Sequence, residues 1–183
     1  MSLKYREDKA TQAAARLLAL AGGKMNYMKL IKLLYLAERK ALLGLGRPIV
    51  FDAYFSLPHG PVLSFTLNIA RDQPDPEKIG YWQTYISPSE NYDVRLLRND
   101  VPRDALSEAE EALLETVFEE FGHMDQWELR DYSHTLPEWQ DPEGSSHRIT
   151  VQEILRASGL DDHDITEIVE GLEAEEAARQ VLD

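Results

Sequence analysis

The segment 27–43 restricts the possible fold more than any other, because apolar side chains surround most of a helix drawn through it. A helix with so little polar surface is typical of the centre of a core, so we predict that the chain packs around it. Asn26 precedes the segment as a predicted N-cap, and Gly44 follows it. The apolar spacing of residues 8–21 predicts another helix, which precedes this segment and is stopped by Gly22. The apolar positions are Tyr27, Leu30, Ile31, Leu33, Leu34, Leu36, Ala37 and Ala41.

Four helix-start signals predict that the second half of the chain is helical. In each signal a side chain that can cap a helix is followed three residues later by glutamate, the pattern of a capping box. The pairs are Ser107 with Glu110, Asp125 with Glu128, Thr150 with Glu153, and Asp164 with Glu167. These signals predict helices that end near Gly122 and His134, a third helix that starts at Thr150, and a last one over about 164–182.

Extended structure is predicted over residues 47–55, because Pro48 biases its predecessor away from the helical region. The sequence of residues 59–61 is typical of a turn. Pro61 is then predicted to occupy the first position of a short helix that reaches about Ala70.

A β-hairpin is predicted after a loop that Pro74 and Pro76 mark. Residues 81–86 are aromatic and β-branched, and residues 92–96 alternate between apolar and polar side chains. The intervening residues 87–91 have the composition of a turn, so the two runs are predicted to pair as neighbouring strands.

The 183 residues have the length of one ordinary domain, and a hydrophobic content of 43% is sufficient for a core. We predict an α+β fold, mainly α: a single helical domain over residues 1–183 with one small β-hairpin. The chain has no cysteine, which excludes disulfides, thiolate catalysis and cysteine-based metal sites. The sequence contains no apolar run of about 18 residues. A secretory signal is also absent, so we predict a soluble, cytoplasmic protein without a membrane span.

The net charge of −14 is distributed unevenly along the chain. Residues 1–60 hold ten Lys and Arg against four Asp and Glu, whereas residues 61–183 hold nine against 29. Such an acidic part disfavours general binding of nucleic acid, because phosphate contacts dominate that affinity, and it suits a basic protein partner. Residues 161–183 hold nine acidic residues and a single base, Arg179. They predict either a solvated surface helix or a docking surface for a basic partner.

Two pairs of residues are candidates for acid–base chemistry. Asp52 and His59 flank one loop, and Asp131 and His134 lie three residues apart. If either pair met in a cleft, the protein would be a small hydrolase or transferase. Alternatively, Asp52 and His59 fix their loop through hydrogen bonds to the backbone. The sequence contains neither a phosphate-binding loop nor a zinc-protease motif, and no cofactor or metal is predicted.

A DNA-binding regulator is a second alternative, because the helices 8–21 and 27–43 resemble a helix-turn-helix in outline. The apolar second helix suits a core better than it suits a DNA groove. The alternative therefore requires that its basic residues form one exposed stripe. These residues are Lys29, Lys32, Arg39 and Lys40.

Several stretches of the chain resemble one protein family. They are residues 28–39 (MKLIKLLYLAER), Gly46-Arg47-Pro48-Ile49, Asp52-Ala53-Tyr54 and His59-Gly60-Pro61-Val62. Residues 106–110 and a later block, residues 129–134 followed by Trp139, add to the match. Together these stretches resemble the Panacea domain, the SocA-like antitoxin family that is also described as phage-associated protein. The resemblance covers about residues 10–157.

The resemblance implies an antitoxin, not an enzyme, that neutralises a cognate toxin protein by direct contact. At least one type of family member delivers its toxin to a protease as an adaptor, which makes a protease a further candidate partner. The predicted partner-binding residues are Asp52, Tyr54, His59, Asp131, His134 and Trp139. Aromatic residues dominate protein interfaces, so further candidate anchors are Phe55, Trp127 and Tyr132.

Overall fold

The computed structural model describes residues 4–71 and 79–182. In these ranges the helices are Glu7–Leu20 (α1), Tyr27–Leu45 (α2), Ser64–Arg71 (α3), Tyr81–Tyr85 (α4), Glu108–Phe121 (α5), Gln126–Ser133 (α6), Val151–Ala157 (α7) and Asp162–Leu182 (α8). The strands are Lys24–Asn26 (β1), Tyr54–Leu57 (β2), Gly60–Leu63 (β3), Asp93–Arg95 (β4) and His147–Ile149 (β5). The predicted fold, mainly α with some β, is confirmed.

Helix α2 is the central helix that its apolar sequence predicts. The Oδ1 atom of Asn26 accepts hydrogen bonds from the N–H groups of Met28 and Lys29 at 2.9 and 3.2 Å, so the predicted N-cap is confirmed. The helix packs against α1, α3, α5, α6 and α7 and against strands β1 and β3. It ends at Leu45, slightly beyond the predicted boundary, where Gly46 adopts a left-handed conformation.

The capping boxes of α5, α6 and α7 form as predicted. Ser107, Asp125 and Thr150 each accept a hydrogen bond from the N–H group three residues later, and the glutamate at that position accepts one from the cap residue. These bonds satisfy N–H groups that the first turn of a helix leaves without partners. The helix boundaries in this region are therefore set locally.

Helix α8 starts at Asp162, and the prediction that Asp164 opens it is wrong. The cap is Asp161, whose Oδ1 accepts a hydrogen bond from the N–H group of Asp164 at 2.9 Å. Ile165 and Leu172 are buried, whereas most acidic side chains of α8 are exposed. None of the helices in the described ranges has the length and apolar character that crossing a bilayer requires.

Strands β2 and β3 form an antiparallel hairpin, and β5 pairs with the other edge of β2. Pro61 lies in β3 opposite Ser56, so the prediction that Pro61 starts a helix is wrong. The helix begins at Ser64 instead, because the carboxylate of Asp52 accepts hydrogen bonds from the N–H groups of Phe65 and Thr66, both at 2.9 Å. Of the predicted extended segment 47–55, only its last two residues belong to a strand.

The predicted pairing of residues 81–86 with 92–96 is wrong except for one isolated bridge between Ile86 and Leu96. Residues 81–85 form helix α4, in which the N–H group of Trp82 donates to the Glu7 carboxylate at 3.0 Å. Strand β4 pairs with β1 instead. The loop predicted at Pro74 and Pro76 lies outside the described residues.

Candidate partner-binding face

The turn between β2 and β3 meets helix α6 at the surface of the protein. Pro58 and His59 are exposed in the turn, whereas Gly60 is buried with a φ of +98°. We name the surface formed by the turn and the adjoining side chains of α6 the turn face. Its residues are Pro58, His59, Trp127, Arg130, Asp131 and His134.

Lys32 of α2 supports the turn from inside the protein. Its Nζ atom donates a hydrogen bond to the carbonyl oxygen of Pro61 at 2.7 Å, and the residue is only 1% exposed. Burial lowers the pKa of Lys32 to about 7, because a low-dielectric environment disfavours the charged form. Within the described residues, no carboxylate lies within ion-pair distance of this Nζ atom.

His134 and Trp139 support the other side of the turn. The two rings stack with centroids 3.9 Å apart and an interplanar angle of 11°. Trp139 donates from Nε1 to the carbonyl oxygen of Leu57 at 3.1 Å. His134 bonds to the backbone of Pro58, which can only accept, so the imidazole is the donor.

The environment of His134 favours the neutral imidazole. Burial and then the positive charges of Lys32 and Arg130 lower its pKa, against a smaller opposing effect of Asp131. The Nε2 atom of His134 is buried and has no hydrogen-bond partner in the part of the chain that the structure describes. Protonation would place an unsatisfied N–H group there, close to a second cation.

Gly60 is required at its position for two independent reasons. Its φ of +98° disfavours any residue with a side chain, and a Cβ atom would overlap Ser133 Oγ and lie 2.9 Å from Lys32 Nζ. We expect Gly60→Ala to lower the free energy of unfolding by about 2 kcal/mol, measured by urea denaturation. Gly144→Ala is the control, since Gly144 has a φ of +85° but open space around it. If the two variants lost equal stability, the steric part of the argument would be wrong.

The exposed part of the turn face is aromatic and carries a cation. The rings of His59 and Trp127 meet edge to face with centroids 6.0 Å apart, and the Arg130 guanidinium carbon lies 5.1 Å from the centre of the Trp127 ring. Arg130 also forms an ion pair with Asp131 at 2.7 Å. Trp127 is 46% exposed, which is a large apolar surface to leave in water.

The candidate acid–base pairs do not converge in a catalytic arrangement. Asp52 and His59 lie beyond opposite ends of strand β2, whose four residues alone span roughly 13 Å of extended chain. The Asp52 oxygens accept from N–H groups at the start of α3 and from the Thr66 hydroxyl at 2.7 Å, which supports the alternative that this residue fixes its loop. The Asp131 carboxylate accepts from Arg130.

The basic residues of α2 do not form the exposed stripe that the DNA-binding alternative requires. Lys29 donates to the carbonyl oxygen of Gly122 at 2.6 Å, and Lys32 is buried. Arg39 pairs with Glu138 at 2.8 Å, and Lys40 pairs with Glu120 at 2.7 Å. These cations therefore serve contacts within the protein.

Glu38 is a buried support that the sequence analysis did not single out. Its Oε1 atom accepts from the N–H groups of Ile49 and Val50, both at 2.8 Å, and Oε2 accepts from the Tyr54 hydroxyl at 2.6 Å. Burial raises the pKa of Glu38 to about 7, against the effect of these hydrogen bonds. Tyr54 is only 3% exposed. Glu38 is the single acidic residue of α2, which is the signal that could have revealed this role.

The arrangement defines a helical domain with a supported surface turn. A sequence model described as antitoxin SocA-like, Panacea domain, matches residues 30–140, which is more than half of the chain. The protein therefore belongs to the SocA-like antitoxin family with a Panacea domain. Neither the curated proteins nor the solved structures contain a significant match to it.

Proposed function

We propose that this protein is the antitoxin of a toxin–antitoxin pair, and that it neutralises its toxin by direct contact through the turn face. Membership of an antitoxin family supports the role. Trp127 supports the choice of the turn face as the binding surface, because its half-exposed indole lies between His59 and Arg130. Tryptophan and arginine are enriched among the residues that dominate binding energy at interfaces.

The predicted partner-binding residues divide into two groups in this proposal. His59, Asp131 and His134 contact the toxin, because they lie on the turn face. Asp52 and Tyr54 are buried and bonded within the protein, so they act by holding the segments that flank β2. Trp139 acts by orienting His134, against which it stacks.

The acidic part of the chain supports a basic toxin as the partner. Exposed acids of α8 include Asp162, Asp164, Glu167, Glu170 and Glu173. Charges of one sign on a surface attract an oppositely charged protein over long distances and accelerate association. The C-terminal helix therefore contributes to encounter, while the turn face provides the close contact.

Co-expression tests the proposal directly. The protein encoded by the neighbouring gene should arrest growth alone, and this protein should restore growth and co-purify with it. If the neighbouring protein does not arrest growth, or if this protein does not relieve the arrest, the two are not a toxin and its antitoxin. Rescue that disappears in cells without a particular protease would assign neutralisation to proteolytic delivery instead of direct occlusion.

Trp127→Ala is expected to abolish rescue and weaken toxin binding about thirtyfold, which corresponds to roughly 2 kcal/mol for an interface anchor. Binding is measured by calorimetry with the purified toxin. Phe65→Ala is the matched control, since Phe65 is 50% exposed and lies at the opposite end of the β2–β3 hairpin. Equal loss of binding in both variants would place the contact elsewhere.

A further inference from the structure

Lys32 has a buried amine next to the turn face, and no carboxylate of residues 4–71 and 79–182 is its counter-ion. Its one hydrogen bond in the described structure joins Nζ to the Pro61 carbonyl oxygen at 2.7 Å. The Nζ atom is close enough to Gly60 that a Cβ atom there would approach it to 2.9 Å. Gly60 in turn adjoins the exposed His59. A buried charge without compensation destabilises a protein.

The charged groups around Lys32 do not supply the missing anion. Helix α6 contributes Arg130 and Asp131, its C-cap is His134, and the turn contributes His59. The carboxylate of Asp131 is exposed and lies 2.7 Å from an Arg130 nitrogen, so its charge is already paired. His134 presents a buried Nε2 atom without a partner. Within the described residues, the buried Lys32 amine beneath the turn face therefore has no anion of its own, in a protein whose net charge is −14.

We propose that the toxin places an Asp or Glu carboxylate on the turn face, beside His59 and over Lys32. The inference rests on the proposed function, because it concerns the toxin that this face binds. The carboxylate compensates the Lys32 charge across the buried Gly60, where screening by water is weak. A protein carboxylate is favoured over a nucleic-acid phosphate, because the net charge of −14 repels a polyanion.

Proton uptake is the consequence that distinguishes this contact from an apolar one. Burial holds the pKa of Lys32 at about 7, so part of the free protein carries a neutral amine at slightly alkaline pH. An anion nearby favours the charged form and raises the pKa of a lysine. Binding of the carboxylate therefore draws protons from the buffer, with a smaller contribution from His134.

Calorimetry of the full chain with the toxin recovered by the rescue experiment tests the inference. Titrations at about pH 7.5 in phosphate and in Tris, which differ in ionisation enthalpy, measure the protons exchanged. We expect uptake of a fraction of a proton by the wild type. Lys32→Met should bind about tenfold more weakly and lose most of the uptake. Lys40→Met, a change on the same helix away from the turn, should match the wild type.

A second set of variants locates the carboxylate on the toxin. One Asp→Asn or Glu→Gln substitution in the toxin should abolish the proton uptake. It should also make the wild type and Lys32→Met bind the toxin with equal affinity, which is the coupling that a double-mutant cycle measures. Binding by the wild type without proton uptake, and equally tight binding by Lys32→Met, overturns the carboxylate contact while the antitoxin function stands. An RNA oligonucleotide that displaces the toxin from this face would assign the cation to phosphate and also overturn it. Failure to find any neutralised toxin counts against the proposed function instead.

Discussion

Replacement of Glu38 by alanine is expected to lower the free energy of unfolding by about 4 kcal/mol, because three buried donors lose their acceptor. The donors are the N–H groups of Ile49 and Val50 and the hydroxyl of Tyr54. Each unsatisfied buried group costs about 1–3 kcal/mol, and the variant also leaves a cavity. Urea denaturation at neutral pH measures the loss.

Glu38→Gln is the informative control, since its amide oxygen can still accept from both N–H groups. We expect it to lose about 1 kcal/mol, and the exposed Glu119→Ala to change stability by less than about 0.5 kcal/mol. The pKa of Glu38 rises from 4.5 unfolded to about 7 folded, so the folded state binds the extra proton between these values. The wild type should therefore gain stability over Glu38→Gln as the pH falls from about 7 to about 4.5. Identical urea midpoints for the alanine and glutamine variants would contradict the hydrogen-bond argument.

Lys32 is expected to make the protein more stable as the pH rises above neutral. Its pKa is 10.5 unfolded and about 7 folded, so between these values the unfolded chain holds a proton that the folded protein has released. The free energy of unfolding therefore rises with pH in this window, and the full cost of the buried charge is present below about pH 7. Between about pH 7 and about pH 10, the free energy of unfolding of the wild type should rise by about 3 kcal/mol relative to that of Lys32→Met.

Urea denaturation of the two proteins across this range measures the difference, in which the titration of other groups cancels. Lys40→Met serves as the control, because Lys40 lies on the same helix and is paired with Glu120 at the surface. A difference between wild type and Lys32→Met that stays constant with pH would mean that Lys32 is not desolvated as the structure indicates.

The helices could be predicted because their determinants are local. Asn26, Ser107, Asp125 and Thr150 lie within three residues of the N–H groups that they cap, so a short stretch of sequence contains both partners. The misplaced start of α8 has the same origin. Asp161 and Asp164 offer competing caps three residues apart, and sequence alone does not decide between them.

The hairpin at 81–96 could not be excluded from sequence because distant residues determine α4. The Glu7 carboxylate accepts from the N–H group of Trp82, and the Gln12 amide donates to the Tyr81 hydroxyl at 3.1 Å. Trp82 is also buried against α1, and this burial stabilises the helical conformation although the residues of the segment favour a strand. Tertiary contacts therefore overrule local preference here.

The candidate site was predictable in part. His59, His134 and Trp139, which are among the predicted partner-binding residues, lie around one turn, and their role in binding stays a prediction. Lys32 was a candidate for an exposed basic stripe of α2, although it is buried against a carbonyl 29 residues away. Whether a charged side chain in an apolar helix faces water or a distant backbone group depends on the fold and not on its neighbours in sequence.

The most exposed residues of the turn face differ from the buried supports beneath it, and this separation bears on how such proteins diversify. His59 and Trp127 are exposed, so substitutions there leave the bonds of Lys32 and Trp139 to the turn intact. A gene copy could therefore acquire a new partner through a few surface substitutions, without a period of impaired folding. The scaffold would persist through evolution while the identity of its target changed.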